Sequence, residues 1–474
     1  MDYEAVIGLE THVQLKTRSK MWCACPNAFG AEPNSLVCPV CLGLPGVLPV
    51  ANEEALRLTV LTGLLLQCEI PRRAKFDRKN YFYPDVAKNY QITQYDQPST
   101  CRGFVEFEHQ GRLEKVRITR AHLEEDVAKN THFDRESGVD FNRAGVPLLE
   151  IVSEPDLRSP ELAQAYLNAL VEILVQGGIS DCDMEKGMVR CDVNVSVRPR
   201  GASQLGAKIE IKNMNTFSGV RRALEYEIPR QIDALRRGES LRQETRRWDD
   251  VAAVTESMRA KEHAHDYRYL PDPDLLPLEP SETWLAEVRS RLVELPLARK
   301  QRLIQLHGLP PGDAEVFKAN RPLGDFFERA ADGAANPKAV ANWIINNLAA
   351  LLNQSGTPLE AVPFPPRAIA DLVALVDSGE INSKIAQEVF TGMFTSGEAP
   401  ATIVERKGLR QVSDSSALEA ACDQAIAAHP GPASDFRQGK AAALNFLKGQ
   451  VMKLTRGKAN PALIGPILER KLNP

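Results

Sequence analysis

No stretch of this chain approaches the roughly 20 consecutive apolar residues that a membrane-crossing helix needs. The opening Met1-Asp2-Tyr3-Glu4 also lacks the basic region and apolar core of a secretory signal. A cytoplasmic protein that makes no use of a membrane is therefore expected. Equally missing are the G-x-x-x-x-G-K-[ST] loop, a G-x-G-x-x-G turn after a strand, H-E-x-x-H and G-x-S-x-G. Any phosphoryl chemistry then has to run on a carboxylate-bound metal and arginines rather than on a Walker loop. There is no internal repeat and no low-complexity tract. At 43% hydrophobic and 25% charged the composition is that of a globular protein, and 474 residues are enough for two or three domains, each with its own core.

What is present begins with cysteine. Nine cysteines, an odd number with four of them clustered, argue against a disulfide framework and for metal binding plus free thiols. Cys23-Ala24-Cys25 and Cys38-Pro39-Val40-Cys41 make a C-x-C and a C-x-x-C pair separated by 12 residues that include Gly30, Pro33 and Asn34. Two thiolate pairs brought together by a short loop satisfy a closed tetrahedral zinc site. Such a site leaves no open position, so the expected role of Zn2+ is structural.

Acidic residues stand out where they contradict their surroundings. Glu150 lies inside Pro147-Leu148-Leu149-Glu150-Ile151-Val152, a run apolar enough to be a buried strand. An ionised carboxylate there costs several kcal/mol unless something positive faces it. A metal ion is one such partner; pairing with Arg143 or Arg120 is the other. Upstream, Glu124-Glu125-Asp126 follows His122, and in a strand successive members of that triplet must point to opposite faces. Spacing alone does not decide which one points inward.

Residues 4–15 alternate so that Leu9, Thr11, Val13 and Leu15 share one face and Glu10, His12 and Gln14 the other. Residues 189–198 alternate likewise, with Arg190, Asp192 and Asn194 on the polar side, and residues 208–212 offer Lys208, Glu210 and Lys212. Several strands with mixed acidic and basic faces predict an antiparallel sheet whose polar side is a catalytic floor. Oxygen-rich ligands with one imidazole favour Mg2+ or manganese over zinc.

Four of the nine tyrosines fall between positions 81 and 95, interleaved with Arg78, Lys79 and Lys88. Aromatic planes beside cations stack a base and hold its phosphate, which makes this segment a candidate site for ATP or the single-stranded end of an RNA. Helices are predicted over 52–67, capped by Asn52, and from Ser159-Pro160 to Gly177-Gly178. A proline-rich stretch at 271–296 marks a boundary, beyond which the pattern turns to short helices. From Arg406 onward, 11 Lys and Arg stand against 5 Asp and Glu, a net +6 where the whole chain carries −4. That separation predicts contact with a polyanion. The tail is read as a helix over 436–453 followed by a basic loop over 455–461.

The segments VIGLETHVQL at 6–15, FDRKNYFYPD at 76–85, YQITQYDQP at 90–98, HLEEDVAKNTH at 122–132, NRAGVPLLEIVSEPD at 142–156 and DYRYLPDPDL at 266–275 closely resemble the B-subunit family of the tRNA-dependent amidotransferases, GatCAB. The resemblance extends to GKAAALNFLKGQVMKLTRGKANP in the tail. It implies an α+β fold: a cradle over 1–292 with a glutamine synthetase-like antiparallel sheet, an all-α domain over 293–405 and a small helical tRNA-binding tail over 406–474. It further implies ATP-dependent amidation of misacylated Glu-tRNA(Gln) or Asp-tRNA(Asn). The partners it implies are the A subunit, an amidase that supplies ammonia, and a small C subunit. The magnesium ligands it implies are Glu10, His12, Glu125 and Glu150. We expect Lys79, Glu125, Glu150 and Asp192 in catalysis, Arg190 at the cofactor, zinc on Cys23, Cys25, Cys38 and Cys41, and tRNA on Lys448, Lys453, Arg456 and Lys458.

Overall fold

The alternation that begins at Leu9 produces β1 (Tyr3–Gln14), whose inner side chains are buried while Glu10, His12 and Gln14 remain partly exposed. The computed structural model describes residues 2–260, 267–410, 415–455, 459 and 461–473. The further strands are β2 (Asp77–Asn80), β3 (Tyr90–Thr93), β4 (Thr100–His109), β5 (Arg112–Glu125), β6 (Lys129–His132), β7 (Ser137–Asp140) and β8 (Pro147–Ser153). They are followed by β9 (Val189–Pro199), β10 (Ile209–Lys212), β11 (Glu244–Asp249), β12 (Val254–Ala260) and β13 (Leu270–Pro271).

Eight of these strands form one sheet in the order β12-β11-β10-β9-β1-β8-β5-β4. Its pairings are antiparallel except for the parallel β10 and β11. The hairpin between β4 and β5 turns at Gln110 and Gly111, both with positive φ (50° and 74°), the backbone twist that a two-residue hairpin turn requires. Among the described residues, a small sheet, β13-β2-β3, and the β6-β7 hairpin complete the strands.

Helices α1 (Glu53–Leu65), α2 (Pro160–Gln176) and α3 (Phe217–Arg236) pack on the apolar face of the large sheet. Asn52 caps α1 by accepting from the backbone N–H groups of Glu54 and Ala55, and Ser159 caps α2 by accepting from that of Leu162. Ile7, Leu9, Val13, Leu149, Ile151, Val193 and Val195 are each at most 1% exposed. Burying such a side chain contributes about 1.5–3 kcal/mol. A one-residue slip of β1 would turn Glu10 and His12 into this core, so burial locks the register that places the polar floor.

The chain divides into two units, Met1–Leu297 and Ala298–Pro474. Among the described residues the second unit is helical. It holds two separate apolar clusters, one running from Leu303 to Val404 and one from Leu418 to Leu472. The single helix expected over 436–453 is instead two, Pro430–Arg437 and Ala442–Leu454. Gly439, at φ +90°, breaks them apart, and its N–H bonds back to the Phe436 carbonyl. No helix of the described residues is long and apolar enough to cross a membrane.

Candidate active site

Strand register brings His12, Glu150 and His122 directly opposite one another on β1, β8 and β5. Glu124, two residues beyond His122, shares its face because side chains repeat every second residue. His12 Nε2 lies 3.7 Å from Glu124 Oε1 and 3.8 Å from Glu150 Oε2, and His122 Nε2 lies 3.1 Å from the same Glu150 oxygen. One donor atom from each of His12, Glu124 and Glu150 falls within 4.8 Å of the others. Among the described residues no lysine or arginine forms an ion pair with Glu124 or Glu150. Arg143 instead donates to the Val127 and Ala128 carbonyls and approaches Asp126, while Arg120 donates to the Tyr95 carbonyl.

The electrostatics follow from burial. Glu124, 3% exposed, is pushed up to about 8, chiefly by desolvation and then by Glu150. Burial opposes the charge of Glu150 too, but His122, His12 and Lys79 outweigh it and hold it below the usual carboxylate range. Burial also draws His12 down, against the pull of Glu150 and Asp192. Two carboxylates and an imidazole with no ion-paired ammonium or guanidinium to neutralise them fit a hard divalent cation.

Glu125 does not join this group. Alternation turns it to the other side of β5, where Lys88 Nζ donates to both of its oxygens at 2.7 and 2.8 Å and the Ile92 N–H adds a third bond at 3.0 Å. That side is lined by Cys23, Cys41 and Gly145. Glu10 stays on the floor, two residues from His12, accepting from Asn194 Nδ2 at 2.8 Å. Asp192 accepts from Lys212 Nζ at 2.7 Å, and Arg190, opposite His12, reaches Asp126 at 3.0 Å. Lys79 projects from β2 with Nζ 4.9 Å from the Tyr267 ring centre and 5.8 Å from that of Tyr81, and its charge acts on both Glu124 and Glu150.

The four cysteines of the knuckle converge, their sulfurs all within 4.8 Å of one another and those of Cys38 and Cys41 3.9 Å apart. Tetrahedral zinc–thiolate geometry sets sulfurs about 3.8 Å apart. A hydrogen bond from Cys23 holds the Cys41 thiol down at about 4 and pushes Cys23 up in turn. The quartet fits a structural zinc. In the tail, Lys448 and Lys453 lie on the helix Ala442–Leu454, Lys448 half-buried and Lys453 exposed, whereas Arg456 and Lys458 fall outside the described residues.

Comparison with known proteins adds a decisive match: residues 5–286 fit the model of the GatB/GatE catalytic domain. The chain belongs to the GatB/GatE family. Residues 325–472 match a second model, the GatB domain. The B subunit of the aspartyl/glutamyl-tRNA(Asn/Gln) amidotransferase of Carboxydothermus hydrogenoformans is 52% identical over 476 residues, 99% of each chain. Its counterpart from Methylacidiphilum infernorum is 52% identical over 485 residues, covering 100% of this chain and 99% of its own, and that from Moorella thermoacetica is 51% identical over the whole of both chains.

In this GatB/GatE chain the floor gathers His12, Glu10, Asp192 and Arg190 on the polar faces that strand alternation predicts, together with Glu150 from β8, and the charge of Lys79 acts on its carboxylates. Missed were His122 as a partner of Glu150, the Lys88–Glu125 pair and the Lys212 bridge between Asp192 and Glu210. The two-residue step from His122 to Glu124 was the signal for the first, since it puts both on one face. Glu210 and Lys212 share a face of one strand, but no local pattern marks the Lys88–Glu125 and Lys212–Asp192 pairs, which join residues from separate segments.

Proposed function

We propose that this chain amidates the side-chain carboxylate of glutamate or aspartate misattached to tRNA for glutamine or asparagine, using ATP and ammonia. The observation that carries the reading is the His12–Glu124–Glu150 group, free of any Lys or Arg ion pair among the described residues, in a chain whose relatives are named as components of an aspartyl/glutamyl-tRNA amidotransferase. A carboxylate is a poor electrophile, and ATP makes its oxygen a phosphate leaving group that ammonia then displaces. His12, Glu124 and Glu150 would hold magnesium, which would supply positive charge for the phosphoryl oxygens.

The chain's own residues do the rest. Lys79, held against Tyr267 and Tyr81, places a fixed ammonium above the carboxylates, where negative charge develops on phosphoryl transfer. His122 orients Glu150 through its bond to the carboxylate. Asp192 anchors the Lys212 ammonium on the floor, and Arg190, braced by Asp126, faces the nucleotide phosphates. Ammonia comes from an amidase, the A subunit of an assembly that also holds a small C subunit. The zinc knuckle is scaffold, and the basic tail, through Lys448, Lys453, Arg456 and Lys458, grips the tRNA.

Reconstitution with the partner subunits tests this reading. Amide formation and ATP hydrolysis should both depend on misacylated tRNA, and Glu150→Gln should lower both at least a hundredfold while glutamine hydrolysis at the amidase persists. Lys79→Ala should cut amidation far more than tRNA binding. A Glu150→Gln complex that amidates at the wild-type rate would reduce the chain to a zinc-bearing tRNA-binding scaffold.

A further inference from the structure

Tyr95 and Tyr269 come from segments far apart in the chain, yet their rings stack in parallel, with centroids 4.1 Å apart and planes 8° from each other. Tyr269 continues edge-on into Tyr267 at 6.0 Å, and Tyr267 into Tyr81 at 6.2 Å. Four of the nine tyrosines thus form one wall, and its two ends differ. The Tyr81–Tyr267 end carries Lys79 and adjoins the carboxylates. At the other end Tyr95 keeps 50% of its surface exposed although Tyr269 covers one face of its ring.

A large aromatic left half-exposed forgoes burial that it could have gained, and here its surroundings are those of a nucleoside site. Tyr269 is near enough to Glu150, Glu124 and Arg120 to feel their charges. Arg120 contacts the stack through the Tyr95 carbonyl, at 3.4 Å, while its Nε, shielded from solvent, has no hydrogen-bond partner. An exposed ring face, an adjacent guanidinium with an unspent donor and a cation-binding group at the far end of the wall match a flat base joined to a polar, anionic remainder.

We infer that the exposed face of Tyr95, backed by Tyr269, is the stacking platform for an adenine base, with Arg120 donating to the attached ribose or phosphate. The inference rests on the amidation reading, in which two adenosines reach this floor: that of ATP and the 3′-terminal one of the aminoacylated tRNA. Both present the same chemistry to the ring. Stacking on an exposed aromatic is indifferent to ring substituents, so phenylalanine should serve at position 95 as well as tyrosine.

The test uses the full complex with its partner subunits. Binding of ATP, and separately of a 3′-O-aminoacyl adenosine, is measured for wild type, Tyr95→Ala, Tyr95→Phe and Tyr269→Ala, with melting temperatures recorded for each. The expected result is about a tenfold or greater loss of affinity for one of the two ligands in Tyr95→Ala and Tyr269→Ala, with Tyr95→Phe at the wild-type value. Loss for ATP assigns the platform to the nucleotide, and loss for the aminoacyl adenosine assigns it to the tRNA end. Wild-type affinity for both ligands in Tyr95→Ala, or equal losses in Tyr95→Ala and Tyr95→Phe, overturns the platform. Failure of the wild-type complex to form amide would instead overturn the amidation reading, so the two failures are separable.

Discussion

The facing carboxylate oxygens of Glu124 and Glu150 lie within 4.8 Å of each other, yet the two groups are driven in opposite directions. Glu124 is pushed up by burial and by Glu150, while His122 and His12 hold Glu150 down. One proton and one negative charge thus share a space that a divalent cation would fill after displacing the proton.

Glu124→Gln and Glu150→Gln should each weaken Mn2+ binding, read by titration calorimetry, by at least tenfold; Glu124→Gln should cost little stability, whereas Glu150→Gln also loses the stabilisation its charge draws from His122 and His12. Glu125→Gln should do the reverse. It leaves the Lys88 ammonium without its carboxylate, destabilising by about 3 kcal/mol, and leaves Mn2+ affinity intact. Loss of Mn2+ binding in Glu125→Gln but not in Glu124→Gln would place the metal on the other side of β5.

A pH dependence follows from Glu124. With its folded value near 8, above its ordinary value of 4.5, the folded chain binds more protons than the unfolded chain between those limits. Its contribution to stability is therefore present below about 4.5 and is lost as pH rises toward 8. With no divalent cation added beyond zinc, the wild-type melting temperature should fall relative to Glu124→Gln between pH 5.5 and 8. Mn2+ affinity should rise over the same interval, because the cation competes with the proton. Parallel melting curves for the two proteins would show that Glu124 ionises normally.

Cys23→Ser or Cys38→Ser should release one zinc per chain and lower thermal stability, because a structural site adds its binding free energy to folding. Zinc content by elemental analysis together with calorimetric melting checks this. Metal-replete wild type without zinc would contradict it.

Removing residues 406–474, where a net +6 is concentrated, should raise KM for aminoacyl-tRNA strongly and lower turnover at saturating tRNA much less. Each cationic side chain withdrawn from a phosphate, Lys453 being the exposed lysine on its helix, should reduce the salt dependence of binding by a slope of about 0.7–0.9. An unchanged KM at two salt concentrations would leave the tail no part in binding tRNA.

Sequence by itself determined the strands and their faces. Period-two alternation in β1 and β9 assigns Glu10, His12, Arg190 and Asp192 to polar sides, because a strand with one buried face tolerates only one register, while Glu150 stands out as an acid inside an apolar run. It also determined the cysteine quartet, whose spacing brings two thiolate pairs within reach of one ion, and the family, through its long motifs. Tertiary structure alone decided what faces those residues. That Glu124 meets His12 while Glu125 turns to Lys88, that His122 holds Glu150, and that Tyr95 stacks on Tyr269 all depend on pairing between segments distant in sequence. Local periodicity sets the side of a strand on which a side chain lies; only the order of strands in the sheet, settled by burial of the shared apolar face, sets its neighbour.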